Sequence, residues 1–146
     1  MYNLLHLTHS IVRYFLLIII LFVILRSLMG WLNKSAYSKM DDQLSLGLFI
    51  FTHTQLLLGI ILFFVSPIVI FSGASMKDPT ARYWLVEHNT GMIIAIVLIS
   101  IARISSKKMT EAVAKHRRMF IFNFIALLII VLMIAQSQRG FFSLPY

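Results

Sequence analysis

The sequence contains no cysteine. This absence excludes disulfide bonds, thiolate metal sites, thioether-linked cofactors and cysteine nucleophiles. Charged residues are also scarce, at 12% of the chain, where a soluble domain carries about 25%. The sequence has no glycine-rich phosphate loop, no zinc-protease motif and no arguable serine–histidine–acid arrangement, so nothing in it supports hydrolysis or phosphoryl transfer.

Apolar residues are correspondingly abundant and make up 60% of the 146 positions. A soluble domain of this size could not bury them all, because small domains leave much of their surface exposed. Each bilayer crossing needs roughly 20 apolar residues, and the chain offers four such runs. We therefore predict an all-α fold, in which one transmembrane domain over residues 1–146 forms an integral membrane four-helix bundle. The predicted spans cover about residues 4–25, 44–65, 85–104 and 119–135.

The connections between these spans differ in character. A short interfacial segment from Ile68 to Arg82 is predicted between the second and third helices, since Pro67 ends the second span. The most basic stretch, residues 107–118, precedes the fourth span and could form an amphipathic helix around Glu111. His116 lies within this stretch and is expected to be solvated. Residues 136–146 are predicted to form an aromatic interfacial anchor.

Positive charge is distributed unevenly along the chain. The net charge of +8 would suggest nucleic-acid binding in a soluble protein. Here the basic residues lie between apolar runs, so they indicate topology and contact with anionic lipid, and no nucleic-acid partner is expected. Nine of the 13 lysines and arginines fall in or beside the first and third connections. Both termini are therefore predicted to lie on the non-cytoplasmic side of the membrane.

Three of the predicted spans each bring a histidine into the bilayer. These are His9, His53 and His88. Ionisable groups inside a span cost several kcal/mol unless they are paired, ligated or wetted, so each is a candidate site. Neutral imidazole is a good ligand for haem iron, and two facing histidines are the minimum for a six-coordinate b-type haem. We therefore predict that these three histidines supply the axial ligands, with the choice of pair left open.

Other polar residues accompany these histidines. Arg13 shares a helical face with His9 and, with Arg82 near the same face of the membrane, could pair with haem propionates. Gln55 belongs to a polar island in the second span, and Glu87 opens the third helix next to His88. We predict that Arg13, Gln55 and Glu87 contribute to a haem site or a quinone site.

Helix packing offers simpler interpretations for some of these groups. A single membrane histidine more often bonds a neighbouring helix than ligates a metal. Gly91 and Ala95 form a small-residue pair that permits close approach of another helix or of a flat cofactor. Asn123 is predicted to make an interhelical hydrogen bond.

Depth in the bilayer bears on the choice of histidine pair. At a rise of about 1.5 Å per residue, His9 and His88 both fall near the outer boundary of the membrane. On the same basis His53 lies roughly 10 Å or more deeper. His9 with His88 is therefore the better pair, although a shifted second helix would admit His53.

Several strings in the sequence carry a family resemblance. They are Leu5–Ser10 leading to Arg13-Tyr14, His53–Gly59, Ser66-Pro67, Met76–Asp78, Arg82 and Glu87-His88. In these strings the chain resembles small four-helix membrane proteins of Bacteroidota that are labelled cytochrome b. The resemblance covers most of the chain and implies a haem-binding role that involves His9, His53 and His88. The chain departs from the family at its end, where Ser143–Tyr146 replaces an expected Pro-Trp motif.

A fainter likeness, in size and histidine use only, is to the small haem-binding protoporphyrinogen oxidases of bacteria.

Three functional hypotheses follow. The first is a b-type haem protein of the bacterial inner membrane that transfers electrons, with quinol as a partner. The second is a non-catalytic accessory subunit of a larger membrane complex. The third is a membrane enzyme acting on a lipid-soluble or porphyrin substrate, and the sequence leaves open whether the protein is an enzyme at all. Besides the bilayer, the expected partner is another membrane subunit or a second copy of the chain.

Overall fold

A computed structural model describes residues 1–143, and these residues form an all-α, four-helix bundle. Helix α1 is Tyr2–Leu32 and α2 is Lys39–Val65. Helix α3 is Pro79–Lys107 and includes a π-helical turn at Tyr83–Glu87. Helix α4 is Ala112–Gln136. All four are long and apolar enough to cross a membrane, so the chain is a multi-pass membrane protein. The last part of the predicted aromatic anchor, residues 144–146, lies outside the described residues.

Every helix is longer than its predicted span. The predicted boundaries followed the apolar runs, whereas the helical hydrogen bonds continue through the polar turns at both ends. Helix α2, for example, begins at Lys39, because the Ser38 side chain accepts a hydrogen bond from the Asp41 backbone and completes a capping box. The predicted amphipathic helix around Glu111 is wrong. Residues 107–118 instead contain the end of α3, a short turn and the start of α4, which Glu111 precedes as its N-cap residue.

The four helices form a ring. Helix α1 packs against α2 and α4, and α3 packs extensively against α4 and less extensively against α2. Connected neighbours are antiparallel, so the chain termini and the α2–α3 connection lie at one end, here called the terminal end. The other two connections lie at the opposite end, here called the loop end. The buried apolar core runs through the centre and includes Ile20, Leu48, Ala102 and Ala126.

The connection between α2 and α3 contains one short 3₁₀ helix, Gly73–Met76. Two side-chain caps shape it, since Ser72 accepts from the backbone N–H of Ala74 and Asp78 accepts from that of Ala81. Before the 3₁₀ helix, the Phe71 ring contacts Phe63 and Phe64 near the end of α2. These aromatic contacts hold the apolar part of the connection against the terminal end of the bundle.

Helices α1 and α4 approach each other closely at Gly30. A Cβ atom placed on Gly30 would collide with the imidazole ring of His116, which is only 1% exposed. Glycine is needed here because a rigid, enclosed ring occupies the space that a methyl group would take.

We expect Gly30→Ala to lower the free energy of unfolding by about 1–3 kcal/mol, the usual cost of overpacking a filled core. Denaturation of the detergent-solubilised protein followed by circular dichroism measures this change. Gly47→Ala is the matched control, because no atom lies within 4 Å of a Cβ at that position. The control should leave stability unchanged or raise it by up to about 1 kcal/mol. Equal stability of the two variants would contradict the steric explanation.

Candidate functional site

Most of the predicted site residues come together at the terminal end of the bundle. His9 on α1 is close enough to interact electrostatically with His88 on α3 and with Arg13. His88 in turn interacts with Arg13 and with Arg139, which follows α4. Three separate parts of the chain therefore converge here, and the two histidines that depth favoured lie in one cluster.

The His9 segment is fixed by the second helix. The side-chain amide of Gln55 donates a hydrogen bond to the backbone carbonyl of His9 at 2.9 Å. Gly59, one turn further along α2, lies opposite the His9 ring, and a Cβ added there would be 3.5 Å from Cε1. The sequence proposed Gln55 as a ligand-binding group, and the structure shows that half of its amide is used to join α1 to α2.

Several buried polar atoms at this end have no hydrogen-bond partner. They are Nδ1 of His9, Nε of Arg13 and Oε1 of Gln55. Leaving a buried donor or acceptor unpaired costs about 1–3 kcal/mol, so native proteins rarely do so without a bound water, ion or ligand. The grouping of three such atoms around the His9 segment identifies this end as a candidate binding site.

The tautomer of His88 is set by Tyr83. The Tyr83 hydroxyl donates its proton to the backbone carbonyl of Met133 on α4. Its oxygen, 3.4 Å from His88 Nδ1, is then available only as an acceptor. Nδ1 of His88 must therefore carry the ring proton, which leaves a lone pair on Nε2 for ligation. Tyr83 belongs to the π-helical turn, a feature often found at functional sites.

His53 lies apart from this cluster but has a similar tautomer. Its Nδ1 is 2.8 Å from the backbone carbonyl of Phe49, so Nδ1 donates and Nε2 is again free. Since His9 lies between Gln55 and Gly59 along α2, His53 is about four residues, or about 6 Å, deeper than His9. The predicted depth difference of 10 Å was therefore too large, because it relied on span boundaries that the structure moves.

Glu87 and the arginines at this end already have ion-pair or hydrogen-bond partners within the protein. Glu87 pairs with Arg82 at 2.6 Å, and both side chains are partly exposed. Arg13 donates to the Tyr14 hydroxyl at 3.2 Å and to the Ser143 carbonyl at 3.3 Å. Arg139 donates to Nε2 of His6 at 2.8 Å. Glu87 is thus placed toward Arg82 on its own helix, while Arg13 lies beside the histidine cluster.

Two predictions for helix-packing residues need correction or refinement. At Gly91 the side chain of Met133 fills the space that a flat cofactor would need, so the small-residue face serves packing of α3 on α4. Asn123 was predicted to bond another helix, but its amide donates to the Met119 carbonyl of its own helix at 2.8 Å. Its Oδ1 and the Thr52 hydroxyl are both buried in the bundle without a partner.

Sequence reasoning missed a polar network at the loop end. Asp41, with a side chain only 5% exposed, accepts two hydrogen bonds from Arg26 at 3.0 and 2.9 Å. Its second oxygen accepts from the backbone and hydroxyl of Ser38. Next to it, the buried Arg103 donates to Asp42 and to the Ser45 hydroxyl. The signal in the sequence was Arg103 itself, an arginine on the apolar run of α3.

The prediction that His116 is solvated is wrong. The ring is fully enclosed, with Nε2 3.3 Å from the Ala36 carbonyl and the Tyr37 ring 5.1 Å away between centroids. Burial, together with the charge of Asp42, raises the pKa of Tyr37 to about 12, so its phenol stays neutral. The position of His116 three residues before Met119 on the buried face of α4 was the sequence signal for this burial.

Comparisons with protein families, with curated proteins and with solved structures find no match. Within residues 1–143, no three histidine, aspartate or glutamate side chains come together as a metal-binding group. A haem iron with two histidine ligands does not require such a group, because the porphyrin supplies the other four nitrogens.

Proposed function

We propose that the protein is a b-type haem protein of the bacterial inner membrane that transfers electrons. The observation that carries this proposal is the terminal-end cluster, in which His9 and His88 lie near each other and His9, Arg13 and Gln55 each hold an unpaired buried polar atom. Bound haem b would supply one-electron redox chemistry. The polar side chains of the cluster fit haem b, because they provide two imidazoles and two cations at one end of the bundle.

In this proposal each residue has a defined task. His88 would hold the haem iron through Nε2, and Tyr83 keeps its ring in the required tautomer. His9 would supply the second ligand, because it is a half-buried histidine close to His88. Arg13 and Arg139 pair with the propionates, since guanidinium groups bind carboxylates as charge-assisted forks. His53 serves helix packing through its bond to Phe49.

A quinol partner is favoured by Gln55. Its unpaired Oε1 can accept a hydrogen bond from a quinol hydroxyl. Thr52 is unsuitable for direct contact because it is only 1% exposed in the bundle interior. Glu87 pairs with Arg82 at the exposed edge of the same end. Its carboxylate could accept a proton that a quinol releases there.

The distribution of basic residues orients this chemistry. Nine of the 13 lysines and arginines lie at the loop end or in the helix turns next to it, so the loop end faces the cytoplasm under the positive-inside rule. The terminal end, with both chain termini and the proposed haem, then faces away from the cytoplasm. Electrons would be exchanged near the outer leaflet.

A visible spectrum of the detergent-purified protein, with and without dithionite, tests the proposal. We expect a reduced-minus-oxidised difference spectrum of a low-spin b-type haem at about one haem per chain. Protein purified without haem should take up added haem to the same stoichiometry. A colourless, iron-free protein that fails to bind added haem would overturn the proposal.

The accessory-subunit hypothesis remains the second candidate, and one observation favours it. Helix α2 is the least enclosed of the four helices. Only 11% of its most apolar stretch is buried, compared with 33% for α1. A helix that contributes so little to the bundle core has a broad face available for another membrane subunit or a second copy. Native-gel migration of gently solubilised membranes at the mass of the single chain would argue against this role.

A further inference from the structure

An open cleft of about 230 Å³ lies at the loop end of the bundle, away from the proposed haem site. The connection before α2 contributes Tyr37 and Ser38, and the first turn of α2 contributes Lys39. Lys107 at the end of α3 and Lys115 at the start of α4 complete the cationic wall. Three elements distant in sequence therefore place three ammonium groups around one cavity.

The charge of this cleft is not neutralised by the protein. The one carboxylate in its lining is Asp42, which is paired with Arg103 at 3.4 Å. Within residues 1–143, no ion pair involves Lys39, Lys107 or Lys115. The Lys115 ammonium lies 5.3 Å above the centre of the Tyr37 ring, another residue of the cleft lining. The lining of the cavity therefore carries an excess of three positive charges.

The other polar groups in the lining are already used by the fold. The Ser38 hydroxyl donates to Asp41, and the Ser106 hydroxyl donates to the Arg103 carbonyl at 3.0 Å. Burial keeps the pKa of Tyr37 at about 12, so its phenol adds no negative charge. Recognition must therefore come mainly from the three ammonium groups, which act on an anion as point charges without demanding a planar partner. A tetrahedral phosphate suits such a set better than a planar carboxylate.

The surroundings of the cleft indicate where that phosphate comes from. Helices α2 and α3 flank the cleft and carry outward-facing apolar side chains within a few turns of it, including Leu46, Ile50, Ile101 and Ile104. Acyl chains of a lipid could lie along these side chains while the headgroup enters the cleft. A free phosphate would use the ammonium groups but none of this apolar surface.

We propose that this cleft is a phosphate-binding site that holds the headgroup of an anionic membrane phospholipid. The site goes beyond the haem proposal and is independent of it, because the two lie at opposite ends of the bundle. It places a specific lipid at the end predicted to face the cytoplasm, where anionic lipids and basic residues attract one another.

Native mass spectrometry of the full-length, detergent-purified protein with added phosphatidylglycerol tests this site. The cleft variant is Lys39→Gln/Lys107→Gln/Lys115→Gln. We expect it to bind this lipid about 100-fold more weakly, which corresponds to about 3 kcal/mol. The matched control is Lys34→Gln/Lys108→Gln/Arg117→Gln, which removes the same charge from exposed positions at the same end outside the cleft. The control should lose less than about fivefold.

Two further measurements complete the test: binding of phosphatidylcholine, and competition by inorganic phosphate. Much weaker binding of phosphatidylcholine, and little competition from inorganic phosphate, support the lipid headgroup as the source. Competition by inorganic phosphate as strong as that by the lipid would support the phosphate site with a free anion as its ligand. Equal binding of both lipids, or equal losses in the cleft and control variants, would overturn the proposal. Should the triple variant fail to fold, Lys39→Gln/Lys107→Gln, at two exposed positions, must lose about 30-fold.

Discussion

The His88→Ala variant is expected to lose the six-coordinate b-type haem spectrum completely. His88 is the histidine whose tautomer is held by a neighbouring side chain, and its removal deletes one of the two proposed ligands. Adding imidazole should restore a low-spin spectrum, because the small ligand can occupy the space that the deleted ring leaves. Difference spectra of wild type and variant, with and without imidazole, measure this effect.

Variants of the other histidines show whether the loss is specific. His9→Ala should have the same effect as His88→Ala, whereas His53→Ala should retain haem, since His53 lies about one turn deeper and outside the cluster. His6→Ala is the matched control, because His6 lies at the same end, where its ring stacks on Tyr2 and its Nε2 accepts from Arg139. If His88→Ala keeps the wild-type spectrum while the protein stays folded, His88 is not a ligand. If His53→Ala loses the spectrum and His9→Ala does not, the second ligand has been misassigned.

The Asp41→Ala variant is expected to lower the free energy of unfolding by roughly 2–4 kcal/mol. The substitution removes both hydrogen bonds from Arg26 to Asp41 Oδ1 and the capping box of α2 together, and it leaves the arginine without its partner. The figure is below the largest losses seen for buried pairs because Arg26 is 35% exposed and can be partly solvated. Denaturation in mixed detergent micelles, followed by circular dichroism, measures the change.

The adjacent aspartate is a close control for this effect. Asp42→Ala removes an ion pair of 3.4 Å from a side chain that is 42% exposed. Arg103 would keep its bonds to the residue 42 carbonyl and to Ser45. Because the Arg103 side chain is only 9% exposed but keeps these two bonds, we expect a smaller loss than at Asp41, about 1–2 kcal/mol. Similar losses in the two variants would show that burial and capping do not determine the contribution of these carboxylates.

The helices were predictable because the bilayer restricts what a spanning segment can be. Without water to satisfy backbone groups, a long apolar run must close its hydrogen bonds internally, so four runs indicate four helices. Their ends were not predictable from apolarity, because side-chain caps such as Ser38 with Asp41 extend a helix into polar sequence. Gly91 illustrates the same limit within a helix, since only the position of Met133 shows that the small residue accommodates packing.

The candidate sites were predictable to different degrees. His9, Arg13 and His88 could be placed near one end from helix positions alone, and the structure brings them into one cluster. The role of Tyr83 could not be anticipated, because it depends on Met133, 50 residues away in sequence. His116 was wrongly predicted to be solvated because its sequence neighbours are basic. In the structure its side chain faces the interior of the bundle and lies against Gly30.

The sequence by itself determined that the chain lies in a lipid bilayer, that it is helical and that it has four spans. These properties depend on local apolarity and on the energetic cost of unpaired backbone groups in lipid. It also identified which histidines lie within the predicted spans. Only the tertiary structure decided which of them meet, which polar groups have partners and where three distant lysines surround one cleft. Those properties depend on the register and rotation of helices against one another, which long-range contacts set and local sequence does not encode.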